Sequence, residues 1–161
     1  MNQNSILYRI GDATATEGEG AKIVAHICND IGGWGRGFVI ALSKRWPKAE
    51  ASYRSWFKGG DSVPFALGQT QFVEVSDQLW VANMVAQRDT RSINGVPPIR
   101  YEALVLTLAA VAAFASERRA TVHMPRIGCG LAGGSWDEVS AIIERELTSK
   151  GVQVVVYDLP S

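Results

Sequence analysis

Two short stretches hold most of the chemistry this chain could perform. In "HICNDIGGWGRGF" (residues 26–38), His26, Asn29 and Asp30 stand just ahead of four glycines. In "MPRIGCGLAGGSW" (residues 124–136), four more glycines surround Cys129. Glycine permits positive φ and lets the backbone approach a ligand closely. The free N–H groups of such a loop, and of a helix start behind it, attract phosphate. Two such loops on neighbouring strands would grip a pyrophosphate from both sides, whereas plain strand-to-helix turns would bind nothing.

The side chains near the loops admit two readings each. His26 is either a general acid–base near neutral pH or a hydrogen-bonded core histidine. Asp30 is either the carboxylate that activates water or orients a ligand, or a turn residue. Cys129 is either a reactive thiol or simply a small residue between glycines. Arg36 either pairs with phosphate or is solvated. Trp34 either covers a ligand or anchors its loop. Gln87, Arg88 and Asp89 end a strand and offer polar groups that spacing alone does not place. His26 and Cys28 lie two apart on one strand and His123 stands alone, so no metal-ligand spacing is present and no metal is expected. The stretch "GWGRGF" is not a G-x-G-x-x-G motif, and no G-K-[ST] occurs.

These residues need elements to position them. "SILYRIGD" reads as a first strand ending at Gly11 and Asp12. "AKIVAHICN" is an apolar run of strand length, as in a sheet covered on both faces. Phe38, Ala41, Leu42 and Trp46 share a helical face, and Pro47 both stops that helix and opens the next. "GQTQFVEVSD" and "LWVANMVAQ" are two β-like runs joined by a turn. "RDTRSINGVPP" reads as an exposed loop. Tyr101, Leu104, Val105, Leu108 and Val111 have helical spacing. "TVHMPRI" reads as a strand. Ser135 and Glu138 fit a capping box for a helix striped by Trp136, Val139, Ile143 and Leu147. "VQVVVYDL" reads as the last strand. Trp46, Trp56, Trp80 and Trp136 read as core. Strands alternating with helices predict an α/β layered fold with a largely parallel sheet.

Composition bounds the function. The 161 residues suit one domain, 1–161, with one sizeable core. Sixteen Lys+Arg balance sixteen Asp+Glu, which argues against a nucleic-acid clamp. No apolar run spans a bilayer and no signal peptide is legible. Two cysteines make no disulfide framework, so a reduced, cytoplasmic protein is expected, with a single Cys28–Cys129 bridge as the alternative.

In order and spacing, "IGD" (residues 10–12), "AHICND" with "GWGRG", "MPRIGCGL", Trp136 and the ending "VVVYDL" resemble a macrodomain, the ADP-ribose-binding module. The resemblance covers nearly the whole chain. It points to the branch containing the terminal ADP-ribose protein glycohydrolase and the yeast-type ADP-ribose 1″-phosphate phosphatase. It implies a three-layer α/β/α sandwich with a mixed, about six-stranded sheet. It also implies that Asp12 accepts a hydrogen bond from the adenine amino group. Gly33, Trp34, Gly35, Arg36 and Gly37 would contact diphosphate and distal ribose. Ile127, Gly128, Cys129, Gly130 and Leu131 would form the second phosphate loop. Tyr157 would lie near adenine, Asn29 beside the distal ribose, and His26 matches a histidine of the phosphatase-like relatives.

Two departures bear on mechanism. Where the glycohydrolase has an acidic residue after "GCGL", this chain has Ala132, and "VANMVAQRDT" lacks that enzyme's nucleophilic lysine. The expectation is therefore a monomer that binds ADP-ribose without a cofactor. It would hydrolyse at the distal ribose with His26, Asn29 and Asp30 positioning or activating water. The alternative is a non-catalytic reader of ADP-ribosylated protein or nucleic acid.

Overall fold

The computed structural model describes residues 5–160. Strands β1 (Leu7–Ile10) and β2 (Lys22–Asn29) precede helices α1 (Phe38–Arg45) and α2 (Pro47–Phe57). Strands β3 (Thr70–Ser76) and β4 (Leu79–Gln87) lead through a long loop to helix α3 (Tyr101–Arg118). Then come β5 (Thr121–Met124), α4 (Trp136–Glu146) and β6 (Val154–Asp158). The six strands form one sheet in the order β1-β6-β5-β2-β4-β3. All neighbours are parallel except β3, which pairs antiparallel with β4 through a tight turn. This is the expected mixed six-stranded α/β fold.

The apolar runs are long because both sheet faces are covered. Alternation along β2 sends Ile23 and Ala25 to a core under α3 and α4, with Leu104, Leu108, Val111 and Ile143. Val24 and Cys28 point to the other face, where Leu42, Tyr53 and Trp56 of α1 and α2 cover them. Pro47 opens α2 at its first position, where its missing N–H costs nothing.

Three expectations need correction. β5 ends at Met124, because Pro125 has no N–H to continue the ladder. Ser135 caps α4 by position, but its side chain makes no capping bond. Instead its own N–H donates to the Tyr101 hydroxyl at 3.0 Å. Of the four tryptophans read as core, Trp56 is buried, while Trp46, Trp80 and Trp136 are half-buried. Cys28 and Cys129 are free thiols, so the alternative of a bridge between them falls away. No helix among the described residues is long and apolar enough to cross a membrane.

Candidate functional site

β2 and β5 are parallel neighbours, so the loops after them emerge side by side at one edge of the sheet. Between these loops lies a cleft of about 520 Å³. Its walls include Gly33, Trp34, Gly35, Arg36 and Gly37 of the first loop and Ile127, Gly128, Gly130 and Leu131 of the second. A Cβ placed on Gly37 would stand 3.6 Å from the Leu131 side chain, so the loops meet at that point.

The backbone donors are the main feature. Among the described residues, the N–H groups of residues 35–39 and 128–132 have no backbone acceptor. The first series runs into the start of α1 and the second crosses the glycine turn. Each is a set of oriented donors with partial positive charge, the arrangement that holds phosphate.

The glycines divide into two kinds. At Gly128, φ is +76°, and a Cβ would meet Ile99 Cδ1 at 2.6 Å. At Gly134, a Cβ would stand 2.5 Å from the Gly128 carbonyl oxygen. Those two positions are demanded by the fold. At Gly35 and Gly130, φ is not positive and a Cβ would meet nothing within 4 Å. Nothing inside the protein requires glycine there, yet both line the cleft.

The first loop is tied down by Asn29. Its Nδ2 donates to the Gly33 carbonyl at 2.8 Å, and its Oδ1 accepts the Gly33 N–H at 2.9 Å and the Ile31 N–H at 3.0 Å. Tyr53 of α2 donates its hydroxyl proton to Asn29, with the backbone oxygen at 2.7 Å. Trp34 is buried, and its indole N–H donates to Ser43 Oγ at 2.7 Å. That hydroxyl donates to Glu50, which pairs with Arg54. Trp34 therefore anchors the loop to both helices.

Of the three residues expected to be catalytic, His26 and Asn29 line the cleft and Asp30 does not. His26 is 2% exposed and packs edge-on against Trp34. Asn83 uses its Nδ2 on Ala49 and Gln71, so its Oδ1 must accept from His26 Nε2–H at 2.5 Å. Burial holds the imidazole pKa at about 4, against an ordinary 6.5. His26 is thus neutral at neutral pH, and its Nδ1 is buried without a hydrogen-bond partner among the described residues. Asn29 spends its amide on its own loop. Asp30 is half-buried and does not line the cleft. Its Oδ1 accepts the Asp89 N–H at 2.8 Å, fastening the loop that follows β4.

The side chains of Cys129 and Tyr157 both pack inward. Cys129 points its thiol at the Ile127 carbonyl, 3.4 Å away, and packs against the α3/α4 core. Burial raises its pKa, so it is a packing residue and not a poised thiolate. Tyr157 is 3% exposed and lines neither cavity. Its hydroxyl accepts the Glu17 N–H at 3.1 Å and is hydrogen-bonded to His123 Nδ1 at 2.8 Å. It lies beneath the loop after β1 and supports it.

That loop carries Asp12, whose Oδ1 accepts from the Thr14 N–H and hydroxyl, each at 2.8 Å. Asp12 Oδ2 has no hydrogen-bond partner among the described residues. Asp12 lines a second, wider cavity that shares Gly37 with the cleft. Arg126, at the cleft wall, is held by Asp158 through two bonds of 2.7 and 3.0 Å.

Sequence reasoning left some wall residues unassigned. Gln87 reaches the cleft because β4 pairs with β2, placing it opposite Asn29. Its position at a strand end was the available signal. Thr90, Phe38 and Val39 also line the cleft. Their only signal was adjacency to the glycine loop or to Gln87.

No family model matches the chain. A macrodomain protein from Streptomyces coelicolor is 49% identical, with a TM-score of 0.84 over 96% of this chain and 99% of that one. Mouse chromodomain-helicase-DNA-binding protein 1-like is 29% identical over 99% of this chain, which spans 18% of that relative's length. An ADP-ribose 1″-phosphate phosphatase from Lodderomyces elongisporus is 24% identical over 84% of this chain and 87% of its own. Similarity to the Streptomyces protein extends end to end and includes the architecture that forms the cleft, and this chain belongs to the macrodomain family.

Proposed function

We propose that the chain binds ADP-ribose or a derivative in the cleft and hydrolyses the bond at its distal ribose. The observation that carries this reading is the pair of N–H series without backbone acceptors among the described residues, at residues 35–39 and 128–132 in the two loops that wall the cleft. They suit a diphosphate. Gly35 and Gly130 leave the space that it needs. The adenine amino group donates to Asp12 Oδ2, and the distal ribose extends toward Gln87 and Thr90. The name of the yeast phosphatase relative supports the hydrolytic part.

The residues present shape the mechanism. Among the described residues, no carboxylate and no lysine lines the cleft, and its histidine is neutral. The bond from C1″ to the leaving oxygen breaks with its electron pair departing on the leaving group. Water adds to C1″ and its proton passes to solvent. Without a side-chain acid, this route favours groups that leave as stable anions, such as phosphate or carboxylate. The loop N–H groups fix the substrate and offset the developing negative charge.

The second reading is a non-catalytic reader of ADP-ribosylated targets. Ala132 and the absence of lysine from β4 and the loop beyond favour it. Calorimetric titration with ADP-ribose, repeated with Asp12→Ala, tests binding. Incubation with ADP-ribose 1″-phosphate and with ADP-ribosylated protein then tests turnover. Binding weakened by the substitution, with product released, supports the enzyme. Binding without product supports the reader. Tighter binding of NAD or ATP than of ADP-ribose overturns both.

A further inference from the structure

The second cavity carries two cations that the reading above leaves without a task. Lys44 and Arg45 end α1 and line this cavity with Asp12, Thr14, Ile40 and Ala41. Both are exposed, and neither forms an ion pair among the described residues. Cations in a last turn complement the helix dipole. That effect does not require them to border a concave space. Here two positive residues border the same cavity as one carboxylate, and Thr14 already engages one oxygen of that carboxylate.

Helical spacing defines what lies between. Ile40 and Lys44 share one face of α1, as do Ala41 and Arg45. An adenosine whose base meets Asp12, and whose diphosphate begins at Gly37, has its own ribose over Ile40 and Ala41. The two cations stand one turn further along that face. A group attached to the adenosine ribose hydroxyls would then share the cavity that these two cations border.

We infer that Lys44 and Arg45 form an anion subsite for a phosphate carried on the adenosine ribose. The favoured ligand is then an ADP-ribose bearing a further phosphate at that end. This inference rests on the ADP-ribose reading of the main cleft. A phosphate there has two sources: a nucleotide phosphorylated on its 2′-hydroxyl, or the next unit of a chain linked through that oxygen.

The test compares ADP-ribose with ADP-ribose 2′-phosphate by calorimetry on the whole chain. It is repeated with K44A/R45A and with the milder K44Q/R45Q. The expected result is binding about three- to tenfold tighter for the 2′-phosphate. That advantage shrinks as salt rises and disappears in both double variants. A defined ADP-ribose oligomer is the second arm. If it shows the same cation-dependent advantage, the next unit of a chain is a source; if only the monophosphate shows it, the source is the free nucleotide. Equal affinities in the unmodified protein, or an advantage kept in the variants, overturn the subsite alone. Failure of every compound to bind overturns the ADP-ribose reading with it.

Discussion

Asn29 and Gly33 hold each other by two hydrogen bonds, N–H to Oδ1 at 2.9 Å and Nδ2–H to carbonyl at 2.8 Å. This clasp sets the path of the first loop before any ligand arrives. Asn29→Asp keeps the acceptor but points a carboxylate at the Gly33 carbonyl, while Asn29→Ala removes both bonds. Each variant should lose about 1–3 kcal/mol of stability, because buried partners are left unpaired. ADP-ribose affinity should fall about tenfold or more. Denaturant unfolding and calorimetry check this. Unchanged affinity in a folded Asn29→Ala protein would mean that the clasp does not shape the site.

The two kinds of glycine should separate in experiment. Gly128→Ala forces a side chain into positive φ and against Ile99, costing about 1–3 kcal/mol. Its melting temperature should fall by several degrees. Gly130→Ala and Gly35→Ala add a Cβ that meets no internal atom within 4 Å and should melt within about 2 °C of the parent. Both should nevertheless lose ADP-ribose binding, because the added carbons occupy the cleft. Thermal melts beside titrations distinguish the two classes.

Tyr157 should act through the loop above it. Tyr157→Phe keeps the ring but removes the bonds to Glu17 N–H and His123 Nδ1. A loss of about 1–3 kcal/mol is expected from those two unpaired groups. Binding of ADP-ribose should weaken, while binding of ribose 5-phosphate, which lacks the adenine end, should change little. Equal losses for both compounds would contradict a role confined to the Asp12 loop.

Both histidines should make the fold sensitive to mild acid. Burial lowers His26 to about 4, and burial reinforced by the positive charge of Lys22 lowers His123 to about 4. The unfolded chain binds these protons near 6.5. Above that pH both states are neutral at these sites, and the full stability is present. As pH falls from about 6.5 to about 4, only the unfolded state gains protons. Each histidine then removes about 1.4 kcal/mol per pH unit within that window. Melting temperature should decline between pH 6.5 and 5, and His26→Asn should flatten part of that slope. Turnover should show no inflection at 6.5 from His26.

Much of the scaffold is legible without coordinates, because its signals are local. Strand length, the Pro47 boundary and the periodicity of α3 depend on residues within one or two turns of each other. The loops were legible for the same reason. Local pattern also misled in places: Ser135 and Glu138 have capping-box spacing, but the Tyr101 hydroxyl takes the Ser135 N–H instead.

The sequence by itself determined the α/β order and the two glycine loops. It also determined the place of Asp12 after the first strand and the lack of a lysine in and just after β4. Only the tertiary structure decided what the polar residues do. His26, Asn29 and Asp30 have the chemistry of catalysts, but Asn83, Tyr53 and Asp89 each engage one or more of their polar atoms from positions distant in the chain, and His26 Nδ1 is left buried without a partner among the described residues. Side-chain type defines what a group can donate or accept. Burial and the partners brought by folding decide whether it is still free to do so, and those depend on contacts that no local spacing encodes.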